Sequence, residues 1–124
     1  MALREALREI WAAYEGAWSE SDPAMRAAIL GRTLDENFVY SDPSTRTESR
    51  DALSRHIGEL QRIIPGLRIV TTSFAEHHDA CLVGWTLEDG NSNAVARGTT
   101  CGEHDGNGLL KKATVFYDLP HGSP

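Results

Sequence analysis

The sequence has two cysteines, Cys81 and Cys101, among 124 residues. That is too few for a disulfide framework. The pair reads as reduced thiols packed as small apolar side chains, with a redox couple as the alternative. Positive charge is also short: 12 Lys and Arg stand against 18 Asp and Glu, for a formal net charge of −6. Such a surface repels a phosphate backbone, so nucleic acid is not an expected partner. No apolar run approaches the roughly 18 residues that a membrane span needs, so no membrane partner is expected either. The N-terminus is charged from Arg4 onward and has no apolar stretch of the kind a secretory signal carries. A cytoplasmic location is therefore expected. Glycine-rich phosphate loops are missing, because "DGNSN" and "HDGNG" precede strand-like rather than helical segments. No serine-nucleophile motif and no spaced set of His, Cys, Asp and Glu is present, so no metal and no other cofactor is expected.

What remains is ordinary globular material, 40% hydrophobic and 24% charged. Its length suits one domain with one core. We place that domain at 1–118 and expect 119–124, "LPHGSP", to fray. Leu3, Leu7, Ile10, Trp11, Tyr14 and Trp18 recur at spacings of three and four, which predicts an amphipathic helix over 3–20. Asp22 and Pro23 are an N-cap and first residue for a short second helix to about residue 32. "DENFVYSD" then reads as a strand. A third helix runs from near Ser49 to Ile64, with Leu53, Ile57, Leu60 and Ile64 as its buried stripe, and "PG" stops it. Strand-like segments follow at 67–76, 79–88, 94–103 and 109–118, separated by Gly, Asn and Asp turn chemistry. The fold class is α+β: a curved antiparallel sheet wrapped by three helices from the N-terminal half, enclosing a pocket.

Alternation along 79–88 puts His77, Asp79, Cys81, Val83, Trp85 and Leu87 on one face, which we assign to the concave side. A turn symmetric about Asn91 would set Trp85 opposite Arg97, Val83 opposite Thr99 and Cys81 opposite Cys101. Arg97 could then stack on Trp85. Adjacent His77 and His78 point to opposite faces of a strand and do not readily share a metal. His56 is expected at the surface or a helix edge.

Two residues stand out. Asp42, in "FVYSDPSTRT", is either a turn residue or a general base at the pocket mouth. Tyr14 is either a core tyrosine or a hydroxyl pointing into the pocket. Trp11, Trp18, Tyr40, Phe74, Trp85 and Phe116 are core or pocket wall.

The order of elements, with a tyrosine in helix one, a strand ending in Asp-Pro, a helix ending in Pro-Gly and four further strands, resembles the nuclear transport factor 2-like superfamily. That superfamily includes SnoaL-like polyketide cyclases and ketosteroid isomerases. The resemblance spans about residues 3–118 and implies a cone-shaped α+β barrel with a deep pocket, in a homodimer. By likeness to the ketosteroid isomerases, Tyr14 would donate to a substrate oxyanion and Asp42 would shuttle the proton. The third, acidic member of that set has no counterpart: "RGTTCGE" offers Thr99 or Thr100 instead. SnoaL-like cyclases use a His/Asp combination, for which "EHHDA" offers His77 or His78. An Asp–Arg–Asp set of the epoxide-hydrolase kind would need Arg97 and a second pocket Asp, which is not evident.

The expectation is a small-molecule pocket protein, an isomerase or cyclase moving a proton on an apolar, carbonyl-bearing substrate. Asp42, Tyr14 and His77 are the catalytic candidates. Trp18, Tyr40, Val83, Trp85, Thr100 and Phe116 are the ligand-contacting ones. A non-catalytic binding module, or a dimeric interaction module of the same fold, is the alternative.

Overall fold

The computed structural model describes residues 2–117, with side chains from residue 7 onward. The segment 119–124, expected to fray, lies outside the described residues. Helix α1 (Ala2–Ala17) precedes α2 (Pro23–Thr33), strands β1 (Leu34–Asp42) and β2 (Thr45–Thr47), and helix α3 (Arg50–Ile63). Strands β3 (Arg68–His77), β4 (Ala80–Glu88), β5 (Ala94–His104) and β6 (Leu110–Tyr117) complete the chain.

Each helix boundary has a local cause. Asp22 accepts from the Ala24 amide at 2.9 Å with Pro23 at the first turn, and Ser49 accepts from the Ala52 amide at 3.0 Å. These bonds satisfy amides that a helix start leaves open. Helix α1 ends earlier than its apolar pattern suggests. Trp18, Ser19 and Glu20 close tighter turns back to the carbonyls of Glu15, Gly16 and Ala17. Helix α3 stops at Pro65-Gly66. Gly66 has φ of +74°, and an added Cβ there would lie 2.6 Å from Gly90 Cα. A side chain at 66 is thus excluded both by backbone conformation and by the loop between β4 and β5.

The sheet order is β2-β1-β6-β5-β4-β3. It is mixed rather than antiparallel throughout, because β1 pairs with β6 in parallel. The two are separated by most of the chain, so no hairpin dictates their direction. Strand β2, a three-residue return beside β1, was not expected from "PSTRT". It is too short to show a strand period in the sequence.

The hairpin of β4 and β5 corrects the symmetric register. Glu88 pairs with Ala94 as symmetry about Asn91 requires. A bulge between Leu87 and Glu88 then shifts the ladder by one residue. Trp85 therefore lies opposite Gly98, Val83 opposite Thr100, and Cys81 opposite Gly102. Arg97 pairs with Thr86, is exposed, and does not stack on Trp85. Cys81 is buried and Cys101 exposed, so the thiols face opposite sides of the sheet. The face assignment itself holds from Cys81 to Leu87: Cys81, Val83, Trp85 and Leu87 are buried, while Leu82 is exposed.

The core lies between the sheet and the helices. Trp11, Tyr14 and Trp18 from α1 meet Phe38 and Tyr40 from β1, Leu53 and Ile57 from α3, and the inner face of β4 to β6. A buried Arg26 holds the corner between α1 and α2. Its Nε donates to Ser54 Oγ at 3.0 Å, and its Nη1 to the Glu20 carbonyl at 2.8 Å and to Gln61 Oε1 at 3.2 Å. Gln61 Nε2 in turn donates to the Trp18 carbonyl at 2.9 Å. Helix α3 thus fixes the backbone from which Trp18 projects.

Candidate functional site

Between the helices and the inner face of the sheet lies a cavity of about 330 Å³. Every Trp and Tyr of the chain lines it: Trp11, Tyr14, Trp18, Tyr40, Trp85 and Tyr117. None of the three Phe residues does. The division has a physical reason. Trp and Tyr combine a large apolar face with a polar handle, which suits the wall of a cavity better than a dry core. The rings touch in a chain, with centroids of Trp11 and Tyr14 5.2 Å apart and those of Trp18 and Tyr40 5.6 Å apart.

Asp42 ends β1, two residues after Tyr40 and on the same strand face. Its side chain is only 5% exposed. Its two oxygens do different work. Oδ1 accepts from the Ser44 amide at 2.9 Å and from the Ser44 hydroxyl at 3.3 Å, which closes the turn into β2. Oδ2 accepts from the Tyr40 hydroxyl at 2.6 Å and lies 3.8 Å from His56 Nε2. Asp42 therefore closes its turn through Oδ1 and also lines the cavity.

Tyr14 is buried, and burial pushes its phenol well above the ordinary value near 10; Trp18 partly offsets this and the charge of Asp42 adds to it. The phenol therefore stays protonated across the working pH range and is a hydrogen-bond donor. Tyr40 is raised further, by burial first, then by Tyr14 and by its bond to Asp42. Helix α1 carries Trp11, Tyr14, Glu15 and Trp18 to the cavity because spacings of three and four share one helix face.

Trp85 crosses the sheet over Gly98. An added Cβ at Gly98 would lie 2.4 Å from Trp85 Cζ2 and 2.6 Å from the Phe116 carbonyl oxygen. Only glycine leaves room for the indole there. The indole N–H donates to Thr100 Oγ1 at 2.9 Å. The Thr100 hydroxyl thereby accepts from Trp85 and keeps its own O–H for another partner.

Of the expected site residues, Tyr14, Trp18, Tyr40, Asp42, Trp85 and Thr100 all line the cavity. Three do not. His77 is exposed at the end of β3, its Nδ1 3.1 Å from His78 Nδ1. The concave parity was extended across a turn, and the chain reverses at His78–Asp79, where His77 pairs with Ala80. Phe116 is 60% exposed on the outer face, because Ala113, Val115 and Tyr117 take the inward positions of β6. Val83 is fully buried in the core beneath the cavity rather than on its wall.

The lining residues outside the expected set include a histidine and an acid, His56 and Glu15. His56 was expected at the surface or a helix edge and was not assigned to the site. It lies between Trp18 and Tyr40, with centroids 6.2 and 5.7 Å away, beside Asp42. Its position one residue before Ile57 and four before Leu60, on the flank of the α3 stripe, was the available signal. Glu15, next to Tyr14, is half-buried and accepts from the Thr71 hydroxyl, which itself accepts from Trp11 Nε1 at 3.2 Å. Burial raises its carboxyl above the ordinary value, with Thr71 and Trp11 partly offsetting. Among the described residues no group of three or more His, Cys, Asp and Glu could hold a metal.

No protein-family model matches the sequence, and the search of curated proteins found no match. Solved structures do match. A candidate isomerase of the SnoaL-like family from Agrobacterium tumefaciens is 25% identical, with a TM-score of 0.85 over 93% of this chain and 99% of that one. A candidate polyketide cyclase from Sinorhizobium meliloti is 16% identical, with a TM-score of 0.69 over 86% of this chain and 93% of that one. A protein with a ketosteroid isomerase-like fold from Catenulispora acidiphila, solved in complex with trimethylamine, is 16% identical, with a TM-score of 0.74 over 90% and 86% of the two chains.

Proposed function

We propose that this chain, a member by fold of the nuclear transport factor 2-like superfamily, binds an apolar carbonyl compound and moves a proton on it, as an isomerase or cyclase. The observation that carries the reading is that Asp42 and Tyr14 line one aromatic-walled cavity. In the reaction, Asp42 Oδ2 removes a proton from the carbon next to the carbonyl. The C–H electron pair moves into the enolate, and the developing oxyanion accepts a hydrogen bond from the Tyr14 phenol. The same carboxylic acid returns the proton to another carbon, so no oxidant or co-reactant is needed.

The other residues support that step. Tyr40 holds Asp42 in one orientation through its bond to the reacting oxygen. Thr100 supplies a second neutral donor where ketosteroid isomerases carry an acid. His56, rather than His77, is the histidine beside Asp42, its Nε2 3.8 Å from Oδ2. The aromatic walls keep water from the enolate.

The test is exchange of α-hydrogens of a ketone in D2O, by the wild type and by Asp42→Asn and Tyr14→Phe. Loss of exchange in Asp42→Asn with retained ligand affinity supports the proposal; unchanged exchange refutes it.

A second reading has its own support. The outer sheet face exposes Leu82 and Phe116, an apolar surface suited to a second copy of the chain. On this reading the protein is a homodimer, with or without catalysis in its cavities. A location in the cytoplasm remains part of the proposal; among the described residues no helix is long and apolar enough to cross a membrane.

A further inference from the structure

The cavity has a polar group that the proton-transfer step does not use. Glu15 reaches it from α1, and its carboxylate is tethered by Thr71 on β3. Strand β3 is one edge of the sheet, whereas β1, which carries Asp42, lies near the other. The two carboxylates therefore enter the cavity from opposite flanks of the sheet. Thr71 holds Glu15 through Oε2, and Trp11 in turn donates to the Thr71 hydroxyl. Among the described residues no hydrogen bond uses Glu15 Oε1. The lining contains Glu15, Asp42 and His56 but no Lys or Arg. An anionic ligand would meet two carboxylates and no fixed cation. A ligand with a hydrogen-bond donor meets an acceptor that is already oriented, in a cavity walled by six aromatic residues, a ring type whose face attracts a cation.

We infer that Glu15 is a specificity-determining residue that accepts a hydrogen bond from a protonated amine or a hydroxyl on the ligand, at the end of the cavity away from Asp42. The inference rests on the small-molecule reading above and deepens it: the substrate carries its reacting carbonyl at the Asp42 end and a donor group at the Glu15 end. Burial disfavours the charged carboxylate. A bound ammonium supplies the missing counter-charge, and a hydroxyl supplies a hydrogen bond.

The experiment measures equilibrium binding of three matched probes by quenching of the cavity tryptophans. These are 2-(aminomethyl)naphthalene, 2-naphthalenemethanol and 2-ethylnaphthalene, which differ only in the terminal group. Proteins are the wild type, Glu15→Gln, and Glu59→Gln as a control at an exposed position of α3. The expected result is that the wild type and the control prefer the amine, the alcohol or both over the ethyl compound by at least about tenfold. Glu15→Gln should lose most of that preference while its affinity for the ethyl compound is unchanged. A preference confined to the amine assigns a cationic head group, and one confined to the alcohol a neutral one; both support the inference. If all three probes bind alike, or if Glu15→Gln keeps the wild-type order, the inference fails and the apolar-pocket reading stands. If no probe binds, both fail together. Because binding is measured without turnover, a catalytically silent protein still decides the question.

Discussion

The hydroxyl of Tyr40 donates to Asp42 Oδ2 at 2.6 Å, across two positions of one strand, while Asp42 Oδ1 closes the turn that follows. The carboxylate is therefore fixed by both oxygens, and the residue lines the cavity. Replacing Tyr40 by Phe removes the donor and keeps the ring. Unfolding in urea should show a loss of about 1.5–3 kcal/mol, the range for hydrogen bonds to charged groups. No loss would mean that the bond is replaced by water at no cost.

The raised carboxyl of Glu15 makes a prediction of defined sign. Its folded value lies above the ordinary 4.5 because burial disfavours the charge. The stability it contributes is complete below pH 4.5 and is lost as pH rises through the folded value. Glu15→Gln has no charge to bury. Relative to the wild type, the variant should be more stable at pH 7.5 than at pH 4, as urea unfolding at both values would show. A difference independent of pH, or of the opposite sign, contradicts the assignment.

Gly98 exists to accommodate Trp85. Gly98→Ala places a methyl group within the indole and beside the Phe116 carbonyl. The expected cost is about 1–3 kcal/mol in thermal or urea unfolding, as for overpacked sites. The Trp85 emission should also change as its bond to Thr100 breaks. A neutral substitution would show that the sheet yields there without cost.

The thiols should separate cleanly. Cys101 is exposed, whereas Cys81 is buried and its pKa is pushed up to about 11, by burial first. At pH 8 a disulfide reagent should titrate one thiol per chain quickly and the second only in denaturant. Cys101 shares the outer face with Leu82, its partner in the ladder. Slower labelling at higher protein concentration would therefore support the proposed dimer, and equal fast labelling of both thiols would contradict the burial.

The sequence made the helices legible because their caps and stripes are local: Asp22-Pro23, Ser49 and Pro65-Gly66 each act within one turn. The inward face of β4 was legible because its side chains alternate. The register against β5 was not, since a single bulge at Leu87/Glu88 moves every later pair. His77 and Phe116 were misplaced for related reasons. A reversal at His78–Asp79 breaks the parity of one, and the other occupies the outward position between buried Val115 and half-buried Tyr117. Glu15 and His56 stayed hidden because a charged or polar residue at the flank of an apolar stripe looks the same whether it meets water or a cavity. What distinguishes them is which strand stands opposite, and that is a tertiary fact.

The central claim is that Asp42 Oδ2 is a base acting on a C–H next to a carbonyl. It is tested most directly by following the loss of the C1 proton signal of 2-tetralone in D2O by NMR. The wild type should accelerate exchange over buffer, and Asp42→Asn should lower that acceleration by about 100-fold or more while binding 2-tetralone as tightly. Exchange by Asp42→Asn equal to that of the wild type would contradict the account.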